Sequence, residues 1–304
     1  MHCSENLQKI NTIHGTAVAL GYFDGVHLGH RAVIGAAVQY AKENGLCSAV
    51  FSFSLSEHGV IKGNTILCKA EKERRIQGLG TDYFICPPFE EFCSLTPSAF
   101  VNDVLHDAFG ARAVFCGEDF TFGAKKAGNI TTLKALCAEK GIEVFIIPTA
   151  LYNGEAVSST RIREAIGKGE CELANAMLGE VYAVDLPVQK GQGLGSTLGV
   201  PTINQHYEKG MQIPKGGDYI TKAYIDGKAY AAATGIGSRP TVDGEGITCE
   251  SFIMDYSGNL YGKSVRVEFY KYMMPTKRFE TTEELKQMIN TIADAAREYF
   301  EKSK

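Results

Sequence analysis

The first half of the chain alternates short apolar runs with longer stretches in which apolar residues recur every three or four positions. The runs predict strands over 16–20, 47–53, 82–86, 112–116 and 142–147, and the longer periodicity predicts helices over 29–44, 69–78, 96–109, 130–140 and 160–167. In the first helix the apolar positions are Val33, Ile34, Ala37, Val38 and Ala41. In the third, Phe100, Val101, Val104, Leu105 and Ala108 form the stripe. Thr96-Pro97 opens it, because a threonine hydroxyl accepts from an unpaired N–H and proline needs no donor at the first position. Strands alternating with helices imply a parallel sheet with helices on its faces and ligands at the carboxyl ends of the strands.

After about residue 180 the period shortens. Val181–Leu186, Lys222–Ile225, Ala229–Thr234, Glu250–Met254 and Val265–Tyr270 are short alternating runs, separated by turn signals such as Asp226-Gly227 and Ser257-Gly258-Asn259. This is the pattern of a small antiparallel barrel. A last helix follows from about 282. Thr281 and Glu284 make a capping box, and Leu285, Met288, Ile289, Ile292, Ala296 and Tyr299 form one stripe. The expected fold is an α/β, Rossmann-like parallel-sheet domain over 1–180, then a β-barrel domain with a C-terminal helix over 181–304.

Composition narrows the class. A chain of 304 residues with 44% hydrophobic content can build two cores. Its 31 basic and 35 acidic residues leave a net charge of −4, which gives no pull toward nucleic acid or an anionic membrane, and no basic stripe or stacking platform suggests nucleic-acid binding. The nine cysteines are odd in number and include no CxxC, so neither a zinc knuckle nor a disulfide framework is indicated. Without a signal pattern or an apolar run long enough to span a bilayer, a cytoplasmic protein is expected. The oligomeric state is not legible.

Residues 21–30 read Gly-Tyr-Phe-Asp-Gly-Val-His-Leu-Gly-His, between a predicted strand and a predicted helix. There the backbone presents unpaired N–H groups to an anion. Gly29 allows close approach, and His27 and His30 lie along one helix face as hydrogen-bond donors, which suits a polyphosphate. Two histidines at such a junction also suit a partial metal site or plain surface positions. The full GxFDGxHxGH string resembles the HxGH signature of the class I nucleotidyltransferases, in the version of the bacterial bifunctional riboflavin kinase/FAD synthetases. The resemblance implies ATP phosphates bound by Gly21, Phe23, Asp24 and Gly29 beside the histidines.

Val157-Ser158-Ser159-Thr160-Arg161-Ile162-Arg163 reads alone as a helix capped by Ser159 or Thr160, with solvated arginines. Beside the HxGH string it resembles the superfamily's SSTxIR element, which implies that Ser159, Thr160, Arg161 and Arg163 hold phosphates. Phe115 to Gly123 resembles the family's GxDFxFG loop, implying flavin contacts from Asp119, Phe120 and Phe122; a core role suits those phenylalanines equally. One turn departs from the family. Ser52-Phe53-Ser54-Leu55-Ser56-Glu57-His58 stands in place of TFDPHP.

In the second half, Gly191 to Asn204 contains neither a Walker A motif nor GxGxxG in register, and by composition is a flexible hairpin loop. Its LGxPTxN ending resembles the riboflavin kinase motif GRxLGxPTAN, implying nucleotide binding by Gly195 and oxygen ligands to Mg²⁺ from Thr202 and Asn204. Glu250 matches the family's ExHxxDF segment, whose glutamate takes the proton of the riboflavin 5′-hydroxyl. Gly237-Ser238-Arg239-Pro240-Thr241 resembles GxRPT and is read as structural. Ser196, Ile203 and Phe252 replace the family's arginine, alanine and histidine, and Met274 and Thr276 stand where LRxExxF has arginine and glutamate.

The resemblance implies an enzyme that phosphorylates riboflavin to FMN and adenylylates FMN to FAD, with Mg²⁺ accompanying ATP. A monofunctional FAD synthetase with a non-catalytic flavin-binding barrel is the nearest alternative. A transferase acting on another phosphate and a non-catalytic flavin-binding regulator are further ones.

Overall fold

The apolar runs of the first half fold as parallel strands and the alternating runs of the second as antiparallel ones. The computed structural model describes residues 1–7, 10, 14–55, 64–191, 199–241, 244–277 and 281–302, and the side chains of all of these except 238–241, 244 and 245. The chain divides into two units, Met1–Lys62 with Lys72–Ser158, and Gly63–Glu71 with Ser159–Lys304.

In the first unit β1 (His2–Ser4), β2 (Thr16–Leu20), β3 (Cys47–Phe51), β4 (Tyr83–Ile85), β5 (Ala111–Gly117) and β6 (Glu143–Ile147) form a parallel sheet in the order β1-β4-β3-β2-β5-β6. From β2 the chain steps outward through β3 to β4, then crosses to β5 and β6 on the other side of β2. That reversal makes the carboxyl end of β2 the switch point at which a doubly wound sheet opens a crevice for ligands. β1 escapes the sequence pattern because His2-Cys3-Ser4 has no apolar run, so the 21–30 loop follows the second strand of the chain. β7 (Leu151–Tyr152) and β8 (Glu155–Ala156) make a separate hairpin.

Helix α1 (Leu28–Asn44) buries Val33, Ile34, Ala37 and Ala41 and ends at Gly45, whose φ of 64° suits a residue without a side chain. α2 (Lys69–Gly78) follows β3 in chain order and belongs to the second unit as far as Glu71. The helix expected over 96–109 is not uniform. Thr96 caps α3 (Pro97–Ala99), its hydroxyl accepting from Ala99 N at 3.1 Å, and the chain continues as a π-helix over Phe100–Ala108. Apolar residues at 100, 104, 105 and 109 recur at four and five positions, and bonding from Phe109 N to Val104 O keeps Phe109 buried with them. With α4 (Ile130–Ala138) these elements enclose a core of Val18, Leu20, Phe51, Phe100, Leu105 and Leu133.

In the second unit α5 (Ser159–Lys168) and α6 (Cys171–Leu178) precede β9 (Ala183–Pro187), β10 (Thr202–His206), β11 (Gly217–Ile225), β12 (Lys228–Thr241), β13 (Gly244–Ile253) and β14 (Ser264–Met274). The antiparallel order is β10-β13-β12-β11-β14-β9. Just past β9, Gln189 N donates to Asn204 O at 2.8 Å, and the Gln205 amide donates to Leu186 O and Val265 O at 2.6 and 2.7 Å, so the edge strands meet and the sheet nearly closes. Asp226-Gly227 joins β11 to β12 with φ values of 49° and 77°, the two-residue hairpin turn expected of that dipeptide. Inside the barrel, the hydroxyls of Thr221, Thr234 and Ser251 satisfy one another at 2.7 and 2.8 Å. α7 (Thr282–Glu301), capped by Thr281 at Glu284 N, packs Ile292, Ala293 and Ala296 on the outer face against Ile220, Ala233 and Met254.

Candidate active sites

The loop after β2 is shaped by strain and held by buried cations. Phe23 and Val26 adopt φ values of 53° and 46°, left-handed conformations that cost non-glycine residues about 1–3 kcal/mol each. Phe23 is 1% exposed and lies over Gly21, where a methyl group would sit 2.9 Å from the ring. Lys72 Nζ donates to Tyr22 O at 2.7 Å and to Ser52 Oγ at 2.8 Å, Ser52 Oγ donates to the same carbonyl, and Arg75 Nη1 reaches Gly25 O at 3.4 Å. Phe23 and Asp24, expected at the nucleotide, are both buried.

His27 and His30 meet where α1 begins. Their rings stack with centroids 3.5 Å apart and planes 18° from parallel. His27 is the N-cap, and its Nδ1 accepts from His30 N at 3.4 Å. One His27 nitrogen is thus engaged by the helix, and Nε2 is left to carry the proton and to donate. Burial lowers the His27 imidazole to about 4, and burial, then the neighbouring His27 and Lys72, hold His30 well below its usual value. His30 Nδ1 is buried with no hydrogen-bond partner among the described residues. A methyl at Gly29 would sit 3.3 Å from His27 Cε1, so glycine there protects the stack.

The loop after β5 divides its expected roles. Phe122 is buried in the core against Phe100, Phe120 is half-buried and stacked on it, and Asp119 is exposed. Glu118 accepts from Thr149 N and Oγ1 at 2.9 and 2.8 Å, bonds that lower its carboxyl and tie this loop to the segment after β6. Ser159, Thr160, Arg161 and Arg163 lie in the second unit on α5. That helix starts at Ser159, so Ser159 and Thr160 are helical residues and not caps; Arg163 Nε donates to Asn64 O at 2.6 Å.

The barrel carries a second arrangement. Asp218, Gly235, Glu250 and Asn204 are register partners across β11, β12, β13 and β10. Directly paired residues share a face, so the row points three polar side chains one way, with a gap at Gly235. Along β10, Thr202 shares that face with Asn204. A cavity of about 440 Å³ opens over Asp218, Gly235 and Glu250 of this row, with Thr202, Asp218, Thr248 and Glu250 on its polar side and Ala233, Phe252, Leu285, Met288 and Ile292 on its apolar side. Thr248 Oγ1 lies 3.5 Å from Glu250 Oε1. Burial pushes the Asp218 carboxyl up to about 6.

Thr202, Asn204 and Glu250 are oxygen donors of the kind a hard cation takes, so this face fits Mg²⁺. Gly191 packs against the Asn204 amide so closely that even a methyl group there would displace that amide. Phe252 lines the cavity, and Met274 pairs with Asp218 at a β-bulge. Gly195 and Ser196, the Ser56-Glu57-His58 part of the departing turn, and Arg278-Phe279 lie outside the described residues. Gly237–Thr241 forms part of β12.

Sequence reading passed over Ser52, Lys72 and Arg75 at the first site, and Asp218 and Thr248 at the second. Lys72 and Arg75 sit in a helix of mostly charged residues whose pattern reads as a solvated surface. Asp218 was within reach. Counting back from the Asp226-Gly227 turn pairs it with Gly235.

Residues 9–161 match the FAD synthetase family and residues 178–300 the riboflavin kinase family. A Pseudomonas fluorescens protein named bifunctional riboflavin kinase/FMN adenylyltransferase is 32% identical over 303 residues, covering 98% of this chain and 97% of that protein. A Bacillus subtilis protein of the same name is 32% identical over 300 residues, covering 94% and 92%. Among solved structures, a Streptococcus pneumoniae protein described as a macrolide-efflux protein superposes with a TM-score of 0.84 at 29% identity, over 97% of this chain and 98% of that one. No helix among the described residues is long and apolar enough to cross a membrane.

Proposed function

Because the chain belongs to the bifunctional riboflavin kinase/FMN adenylyltransferase family, we infer that it makes flavin cofactors in two steps. It transfers the γ-phosphoryl group of ATP to the 5′-hydroxyl of riboflavin, giving FMN. It then joins the FMN phosphate to the α-phosphorus of a second ATP, releasing pyrophosphate and giving FAD. The observation that carries this reading is the Asp218–Gly235–Glu250–Asn204 row, because it joins the matched kinase motif to a cavity large enough for a planar ring. It favours a working barrel over a merely flavin-binding one.

For adenylyl transfer no covalent nucleophile is needed; the FMN phosphate attacks in line. We assign His27 and His30, with the backbone from Gly21 through Gly29, to the ATP phosphates, where preformed donors offset charge building on the oxygens. Neutral, desolvated imidazoles gain a counter-charge when the triphosphate arrives, so binding draws protons onto them. Ser159, Thr160, Arg161 and Arg163 are assigned to ATP phosphates on their motif alone. Asp119 and Phe120 are assigned to the flavin of this step, and Phe122 supports them from the core.

In the barrel, Glu250 takes the proton of the 5′-hydroxyl as that oxygen attacks the γ-phosphorus. Thr202 and Asn204 would hold Mg²⁺, which when bound supplies charge neutralisation for the phosphates. Gly195 is assigned to the nucleotide. The functional modules are taken as 1–180 and 181–304. The nine free cysteines support a reducing, cytoplasmic setting.

Two full-length variants test the pair of assignments. Glu250→Gln is expected to stop FMN formation from riboflavin while FAD still forms from FMN, and His30→Ala is expected to do the reverse. Loss of both activities in either variant, or of neither, would overturn the assignment concerned.

A further inference from the structure

We propose that Asp218 is the specificity residue for the polyhydroxylated side chain of the flavin in the barrel cavity, accepting a hydrogen bond from one of its secondary hydroxyls across the slot left by Gly235. The inference rests on the kinase reading of the barrel and extends it to a residue outside the matched motifs.

Three observations carry it. First, the Asp218 carboxylate lines the cavity, yet no hydrogen bond or ion pair to it occurs among the described residues. A half-buried carboxylate beside apolar walls needs a donor, and its ligand-side surface is where one can come from. Burial alone raises this carboxyl, to about 6, which fits a group waiting for a partner.

Second, the register sets the distance. Asp218 and Glu250 flank Gly235 on the same face, two strand spacings or about 9.6 Å apart at Cα. A methyl at 235 would come 3.2 Å from Asp218 Oδ1, so the carboxylate leans over the slot. A polyol laid over Gly235 runs between the two carboxylates, each placed to accept from a different hydroxyl. With the terminal hydroxyl at Glu250, Asp218 therefore meets a hydroxyl further along the chain.

Third, the ring has another place to go. Ala233 and Phe252 lie two residues along their strands from Gly235 and Glu250, on the same face, and with Met288 and Ile292 they give the cavity its apolar side. A ring held there leaves the polyol over the row. Among the described residues, the other charged groups on the cavity are Glu250 and Lys277.

The test uses the full-length enzyme, with riboflavin as substrate and lumiflavin, the ring without its polyol, as competitive inhibitor of phosphorylation. Asp218→Ala is expected to raise KM for riboflavin about tenfold or more, the worth of a hydrogen bond to a charged group, with kcat little changed and the lumiflavin Ki unmoved. Asp218→Asn, which keeps a carbonyl acceptor in place, is expected to fall between, and it serves if the alanine variant folds poorly. An equal rise in KM and lumiflavin Ki would reveal a purely structural role and overturn the proposal, as would an unchanged KM. If the unaltered protein forms no FMN, the kinase reading itself has failed, a result distinct from both.

Discussion

Replacing His27 with asparagine separates its two roles, cap and titrating group. In the folded chain burial holds the His27 imidazole at about 4, against 6.5 when exposed. The folded state therefore binds fewer protons than the unfolded one in this window. The stability linked to His27 is fully present above 6.5 and is lost as pH falls toward 4. At about 1.36 kcal/mol per pH unit the gap amounts to about 3 kcal/mol, and the lowered His30 adds in the same direction. Asparagine keeps an acceptor for His30 N, so α1 should start where it does now. The assay is urea unfolding followed by far-UV circular dichroism from about pH 7 to about pH 4, without nucleotide. Groups that do not touch residue 27 cancel when the two profiles are subtracted, and His30, relieved of its charged neighbour in the variant, adds to the difference in the same direction. The natural sequence should lose about 3 kcal/mol more than His27→Asn in the first unit's transition. Parallel profiles would refute the reasoning, because the imidazole would then be as well solvated in the fold as out of it.

Three further outcomes follow from the geometry. Lys72→Met removes two charged hydrogen bonds beneath the 21–30 loop but also relieves a buried ammonium; a net loss of about 2 kcal/mol is expected, with FAD formation falling well below FMN formation. Equal loss of both activities would show that the lysine does not act on the loop. Gly235→Val fills the slot between Asp218 and Glu250, so riboflavin phosphorylation should vanish while FMN adenylylation persists; retained phosphorylation would place the substrate elsewhere. Arg266→Ala takes the guanidinium from between Glu71, at 2.8 Å, and Glu268, at 2.7 Å, and should cost the second unit about 3–5 kcal/mol in denaturant unfolding. A change below about 1 kcal/mol would mean that the cluster is wetter than its burial implies.

Much of this fold is legible wherever one periodicity dominates. β2 and α1 carry unbroken patterns and lie within one residue of their expected limits, and α7 starts where expected. Legibility fails where pairing or burial overrides pattern. His2–Ser4 is a strand because β4 offers it a free edge, and Phe100–Ala108 widens to a π-helix to keep Phe109 in the core. The site follows the same rule. His27, His30, Thr202, Asn204 and Glu250 stand in strings dense enough to read. Lys72 and Arg75 could not be read, because a charged helix shows in sequence neither which cations are buried nor which carbonyls they hold. Asp218 becomes visible only once a register is counted from its hairpin.

The central claim, one chain making FMN and then FAD, is tested most directly by incubating the full-length protein with riboflavin, ATP and Mg²⁺ and resolving the flavins by chromatography over time. FMN should appear first and FAD should follow at its expense. Riboflavin left unchanged, in a preparation that still converts added FMN to FAD, would contradict it and reduce the barrel to a binding domain.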